Sequence, residues 1–178
     1  MDNNKNYDES RMPNQQLTRH FSLLECCRSR KAKELDIPNI PFFTHKMRLR
    51  NTLGRSVEPA RDFFANRFII TSGYRCEMLN RMIGGSSTSQ HLSGEAIDFQ
   101  MIDDENHVMH EQMRDVFEWM KRNVPYDQLI LESKTFDAKE GVYHYWIHVS
   151  CKVKSWCNRN QSFEMRDGKR ITKIEVRE

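Results

Sequence analysis

Apolar residues recur at spacings of three and four positions in two long stretches of the chain, and this period predicts amphipathic helices. The first stretch covers residues 49–64 and the second covers residues 108–120. Pro59 lies inside the first stretch, so we expect that helix to kink or to begin again there. The methionines of the second stretch are typical of core packing.

Capping and turn-forming residues mark the ends of shorter helices. Ser22, followed three residues later by Glu25, forms a capping-box pattern and predicts a helix start near Leu23. The two prolines of "IPNIPFF" end this helical region. The segment "CEMLNRMIGG" predicts one more short helix, which ends at its pair of glycines.

Alternating and β-branched segments predict the strands of a sheet. In "EAIDFQM", Ile97, Phe99 and Met101 alternate with polar or small residues, which predicts a half-buried strand whose polar face carries Asp98. Further strands are predicted for "RFIITS", "QLILE", "HYWIHVSC" and "RITKIEV", and the middle two of these form an antiparallel hairpin. Because the helices are segregated from the strands, we predict an α+β fold with helices packed on an antiparallel sheet.

Length and composition limit the possible functions. The 178 residues favour a single domain over residues 17–178, preceded by a polar, mobile lead-in of residues 1–16. The net charge of +3 is small, and basic residues are interspersed with acidic ones, which argues against a nucleic-acid partner. We see neither a secretory signal nor a membrane span, so we expect a monomer that is cytoplasmic as synthesised. Five cysteines without a CxxC pair indicate reduced thiols.

Two histidines and one aspartate are candidates for a metal site. His91 follows a loop rich in serine and glycine, Asp98 lies on the next strand, and His148 lies on the second strand of the hairpin. Two imidazoles and one carboxylate, with a fourth position left for water, are ligands expected of catalytic zinc. A chain with seven histidines offers such combinations by chance, so spacing alone does not establish the site.

The motifs "SGYR…LN…GG…SQHLSGEAIDF" and "DQLILE…WIHVS" resemble one zinc peptidase family. This peptidase M15-like family contains D-Ala-D-Ala carboxypeptidases and phage L-alanyl-D-glutamate endopeptidases, and the chain is similar to its phage and prophage members in particular. The family pattern is Ser-x-His, six residues, Asp, and a later Trp-x-His. It is matched here by Ser89, His91, Asp98, Trp146 and His148, and the resemblance extends over about residues 17–153.

The resemblance implies a zinc-dependent peptidase that hydrolyses the peptide stems of bacterial peptidoglycan. It implies that Zn²⁺ is held by His91, Asp98 and His148. Arg75 would bind the scissile carbonyl or its developing oxyanion, a task that suits a permanently charged guanidinium. Ser89 would hydrogen-bond the substrate or brace its loop, and Trp146 would contact the substrate as a hydrophobic wall beside the metal.

The general base is the point at which the chain departs from the family. Some members carry a carboxylate three residues before the last histidine, where this chain has Tyr145. The related zinc fold of the hedgehog signalling domain has a Glu-Ser-Lys segment, and "LESK" resembles it, which makes Glu132 the candidate base. If the hairpin strands instead pair tightly around a short turn, Glu132 lies opposite His144, about 13 Å from His148. His144 or a substrate group would then act as the base.

Three classes of function follow from these observations. The first is an active peptidase, released to the cell wall by a phage-type lysis system. The second is a wall-binding or signalling module that keeps the zinc ligands without the base. The third is a structural phage component such as a virion tip protein.

Overall fold

The computed structural model of the protein describes residues 15–177 and shows a mixture of short helices and strands. The helices are α1 (Leu23–Cys27), α2 (Arg30–Glu34), α3 (Phe43–Thr52), α4 (Glu58–Phe64), α5 (Glu77–Met82) and α6 (Met113–Asn123). A π-helical turn, Leu53–Val57, joins α3 to α4, and a 3₁₀ turn covers Ser155–Cys157. The strands are β1 (Arg67–Ser72), β2 (Ala96–Ile102), β3 (Gln128–Asp137), β4 (Val142–Ser150), β5 (Gln161–Arg166), β6 (Lys169–Arg170) and β7 (Glu175–Val176).

The strands form one sheet in the order β1-β2-β4-β3-β5-β6, with β7 also paired to β5. The α+β fold is therefore confirmed, and β3 and β4 form the predicted antiparallel hairpin. One pair departs from the prediction, because β3 and β5 are parallel. The strand β5 was not expected from the sequence. The strand predicted over residues 170–176 is instead two short segments, β6 and β7, which each pair with β5.

One face of the central strands carries the hydrophobic core. Alternate residues of β2, β3 and β4 point into this core and are at most 1 % exposed: Ile97, Phe99, Leu129, Leu131, Ile147 and Val149. The opposite face of the same strands lines a cleft. Asp98 on this second face is only 8 % exposed. The prediction of a half-buried β2 is thus wrong, because the strand lies between β1 and β4 and all of its residues except Gln100 are buried.

The predicted stripe over residues 49–64 is confirmed as a helical layer. Leu49, Leu53, Val57 and Ala60 are fully buried in the core. Pro59 does not begin a new helix, because the chain is helical without a break from residue 43 to residue 64. The irregularity at this point is the π-helical turn Leu53–Val57, which directly precedes the segment that carries Pro59. Proline has no N–H to donate to the preceding turn, and a local π-helical turn is one of the irregularities by which a helix accommodates this.

The second predicted helix is shorter than its apolar pattern. The α6 helix begins at Met113, so the prediction of helix from Val108 is wrong for the first five residues. Val108 instead forms a bridge with Ile102 at the end of β2. Met109 packs against the core from this non-helical segment, and a helical period alone does not distinguish such a segment from a helix.

The helix start near Leu23 is confirmed by a complete capping box. The Ser22 hydroxyl accepts from the backbone N–H of Glu25, whose carboxylate accepts from the Ser22 backbone N–H. Residues 1–14 of the predicted lead-in lie outside the described residues. Within the described part of the lead-in, Gln16 pairs with Ser22 in an isolated bridge.

The cysteines and the helices of residues 15–177 agree with two further expectations. All five cysteines are free thiols, and Cys26, Cys27 and Cys151 are buried. Within residues 15–177, no helix has both the length and the apolar character that a membrane crossing would require.

Gly73 lies where the chain leaves β1 and passes directly over the end of α1. A Cβ at this position would lie 2.4 Å from the carbonyl oxygen of Cys26. The neighbouring Tyr74 N–H donates to the same carbonyl at 2.8 Å. The close approach of two backbone segments therefore requires glycine here.

We predict that Gly73→Ala lowers the free energy of unfolding by about 1–3 kcal/mol, because backbone must move to admit the methyl group. Chemical denaturation measures this change. Gly54→Ala is the matched control, since its Cβ would meet only the Thr18 methyl group at 3.8 Å. We expect the control to change stability by less than about 1 kcal/mol. Equal stability of the Gly73 variant and the wild type would contradict the prediction.

Candidate metal centre

Strand pairing brings two of the three predicted metal ligands together, and a loop adds the third. Asp98 on β2 lies directly opposite His148 on β4. His91 comes from the loop between α5 and β2. One donor atom from each of these residues lies within 4.8 Å of the others. The arrangement predicted from spacing and resemblance is therefore present in the fold.

The donor atoms of the two histidines face one carboxylate. The Nδ1 atom of His148 is 2.8 Å from one oxygen of Asp98, and the Nε2 atom of His91 is 3.2 Å from the other. On the far side of the His91 ring, Nδ1 lies 2.6 Å from the Gly73 carbonyl. Since a carbonyl oxygen only accepts, Nδ1 of His91 carries the proton. Nε2 is then the lone-pair donor that a metal requires.

Burial and charge favour the ligand forms of these groups. Burial lowers the pKa of His91, which favours the neutral imidazole. Burial by itself raises the pKa of Asp98, but the positive charge and N–H donors that His91 and His148 offer in their protonated forms outweigh it and hold that pKa well below its ordinary value. Asp98 is therefore an ionised carboxylate when positive charge lies beside it. Two imidazole nitrogens and an ionised carboxylate are the donor set of an open zinc site. These residues thus fit a divalent ion of the zinc type.

Arg75 lies in the turn after β1 and points to the same carboxylate. Its Nη2 is 3.6 Å from an Asp98 oxygen. Its Nε donates to the Ser72 hydroxyl at 3.1 Å, and its Nη1 donates to the Asn80 side chain at 3.4 Å. Only 15 % of the side chain is exposed. The guanidinium is therefore held in one orientation beside the candidate metal ligands.

The register of the β3–β4 hairpin decides where Glu132 lies. Glu132 is paired with Trp146, and the next pair on the same face is Ile130 with His148. The alternative register, with Glu132 opposite His144, is wrong, because His144 pairs with Lys134. This register results from a β-bulge between Thr135 and Asp137, which shifts the pairing of the two strands before the turn that follows Asp137.

Glu132 faces the cavity that contains the candidate metal ligands. Burial raises the pKa of Glu132, and the nearby charge of Asp98 raises it further. The positive charges of His148 and Arg75, and to a smaller extent the Trp146 side chain, oppose this shift without cancelling it. A carboxylate whose pKa is moved toward neutrality is better suited to exchange protons with a reacting group.

The two other positions considered for the base lie elsewhere. Tyr145 packs against the hydrophobic core, on the opposite side of β4 from Trp146. His144 stacks between the rings of His110 and Phe136, with a centroid distance of 4.5 Å to each ring. Glu132 is thus the member of this group that shares a cavity with His148.

Two cavities meet at the candidate metal ligands. The larger, of about 810 Å³, contains His91, His148, Glu132 and Ser89. The smaller, of about 450 Å³, runs past Ser72 and Tyr74. Both cavities are bordered by Arg75, Asp98 and Trp146. The two predicted substrate-binding residues Ser89 and Trp146 therefore lie on a groove that passes the site on both sides.

A polar network beneath the larger cavity was not predicted from the sequence. Gln90, next to His91, donates to Asp127 at 2.8 Å and accepts from the Ser150 hydroxyl at 2.8 Å. Asp127 is fully buried and also binds Arg159. The motif "DQLILE" contains Asp127, but nothing in the sequence pairs it with an arginine 32 positions later. The network fixes the loop that carries His91.

Two comparisons with known proteins gave different results. A comparison with curated proteins found no match. A sequence profile of the family described as Peptidase M15 matches residues 19–136, about two thirds of the chain. The matched region includes Arg75, His91, Asp98 and Glu132 and ends before His148. Because this match covers more than half of its length, the chain belongs to the peptidase M15 family.

Proposed function

We propose that the protein is a zinc-dependent metallopeptidase that hydrolyses the stem peptides of bacterial peptidoglycan, at a bond that involves a D-amino acid. The observation that carries the proposal is the convergence of His91, Asp98 and His148 beside Glu132 and Arg75 in one cavity. Membership of the peptidase M15 family supports the class of reaction. The substrate follows from the resemblance to carboxypeptidases and endopeptidases of the cell wall.

The metal would be held by His91, Asp98 and His148. A zinc ion bound there supplies a Lewis acid that polarises a carbonyl and lowers the pKa of water. The protein prepares this site through the His91–Gly73 hydrogen bond, which sets the tautomer of one ligand, and through the partners that keep Asp98 ionised.

Glu132 and Arg75 would act on the substrate itself. Glu132 accepts a proton from the attacking water and later delivers it to the amine of the leaving fragment, so that one carboxylate serves both steps. Arg75 binds the scissile carbonyl oxygen and stabilises the negative charge that develops there. Its contacts with Ser72 and Asn80 hold the guanidinium in place before the substrate arrives.

Ser89 and Trp146 would position the peptide along the groove. The Ser89 hydroxyl lies in the larger cavity, where it can hydrogen-bond the peptide backbone. Trp146 separates the two cavities and offers an apolar surface to a side chain. The position of Glu132 beside the metal ligands supports an active enzyme over a module that has lost its base.

We predict that the purified protein binds zinc at one ion per chain and that His91→Ala weakens binding at least about a hundredfold. Loss of an outer partner of a ligand alone costs 10–100-fold in affinity, so loss of the ligand costs at least as much. Elemental mass spectrometry after dialysis against zinc buffers measures both values. His107→Ala is the matched control, because this histidine is 72 % exposed and far from the site in its own acidic turn. Stoichiometric zinc in the His91 variant would contradict the assignment.

We predict that Glu132→Gln lowers the rate of hydrolysis by about 10²–10⁴-fold while zinc binding is retained, because the amide cannot accept a proton. Turnover of purified muropeptides, measured together with metal content, tests this. Glu140→Gln on the exposed hairpin turn is the control and should keep full activity. A Glu132 variant that keeps more than a tenth of the wild-type rate would exclude this residue as the base.

The bond that is cut follows from mass spectrometry of muropeptides digested with the zinc-loaded protein. We expect new fragments whose masses correspond either to loss of a C-terminal D-alanine or to cleavage between L-alanine and D-glutamate. Binding assays on the same muropeptides give the control. Binding without any fragments would contradict the proposed enzyme and support a wall-binding module.

A further inference from the structure

Arg159 is a charged residue of the larger cavity to which the proposed chemistry gives no role. It belongs to the segment between the 3₁₀ turn and β5, and 47 % of its side chain is exposed. It lines the cavity that also holds His91, His148 and Glu132. A guanidinium at such a position can meet a substrate that lies across the metal ligands.

The side chain is anchored along one edge only. Its Nε lies 3.0 and 3.1 Å from the two oxygens of Asp127, and its Nη2 contacts Asp127 and Gln90. The Arg159 backbone N–H also donates to Asp127, at 2.8 Å. Because Asp127 is fully buried, this anchor gives the guanidinium a fixed orientation at the cavity wall.

The other edge of the guanidinium keeps free donors. A guanidinium offers five N–H groups, of which Nη1 carries two. Within residues 15–177, the hydrogen bonds of the Arg159 side chain use Nε and Nη2 and leave Nη1 without a protein acceptor. An anchored arginine with two open N–H groups is suited to bind a carboxylate.

The neighbours of Arg159 show how close it lies to the candidate metal ligands. Gln90, which contacts Arg159, directly precedes the candidate ligand His91. Ser150, two residues beyond His148 on β4, is paired with Gln128 on β3, and Gln128 lines the same cavity. Two residues of a strand span about 6.6 Å. A substrate peptide bound across the metal ligands would therefore reach Arg159 within a few of its own residues.

We infer that Arg159 determines substrate specificity by binding a carboxylate of the peptide on the Gln128 side of the metal ligands. This inference rests on the proposed function, because it concerns the peptide that occupies the same groove. The bound group is a free carboxylate, and a peptide with a carboxamide at that position loses the charge-assisted hydrogen bonds.

The test compares stem peptides in which each carboxylate in turn is replaced by a carboxamide. We expect wild-type protein to prefer one free carboxylate over its amide by about tenfold to a hundredfold, in KM and in the dissociation constant measured by fluorescence anisotropy. Arg159→Gln should abolish this preference by weakening the carboxylate form alone, and Arg159→Lys should restore part of it. Arg114→Gln is the matched control, because Arg114 is equally exposed and pairs with Glu164 outside this cavity.

Two results would overturn the inference. One is a wild-type protein that does not distinguish any carboxylate from its amide. The other is an Arg159→Gln variant that loses the same factor on both forms, since this is the result of a purely structural role toward Asp127. Absence of hydrolysis in every assay would refute the proposed peptidase. The anisotropy comparison of carboxylate and amide peptides would then still decide the role of Arg159.

Discussion

The site depends on the backbone registers of three neighbouring strands. Asp98 lies opposite His148 between β2 and β4, and Glu132 lies opposite Trp146 between β4 and β3. Because side chains alternate along a strand, a shift of one residue in either pairing would turn these groups into the core. The fully buried apolar residues on the other face oppose such a shift, since it would expose them to the cleft. Core packing and site geometry are therefore consequences of the same alternation.

Asp98 is the electrostatic centre of this arrangement. A buried carboxylate is costly unless charged or hydrogen-bonding partners surround it. Here the partners are His91, His148 and Arg75, and each comes from a different segment of the chain. Because the carboxylate holds these three side chains within reach of one another, loss of Asp98 would affect the orientation of each. The same contacts that keep it ionised also prepare it to bind a cation.

The sequence alone was sufficient for the parts of the fold that follow from local patterns. Alternation around Ile97 and Phe99 predicted the core face of β2, and the capping box at Ser22 predicted the start of α1. The position of Glu132 required the hairpin register, which depends on a bulge near Thr135 that no local pattern indicates. The strand β5 carries few apolar residues, and its parallel pairing with β3 is a long-range contact. The ion pair between buried Asp127 and Arg159 could not be predicted for the same reason, because sequence spacing does not reveal which charges meet in space.

The β3–β4 hairpin extends well beyond the site. Its tip, from Asp137 to Val142, is five residues from Glu132, which corresponds to about 16 Å along the strand. The pairs from Gln128 to Thr135 are uninterrupted, and the bulge that sets their register lies between Thr135 and Asp137, before the tip. During evolution the tip can therefore gain or lose residues, or acquire a whole additional module, without changing which side chains face the cleft. The hairpin thus separates a segment whose side chains line the cleft from an exposed turn that does not line it.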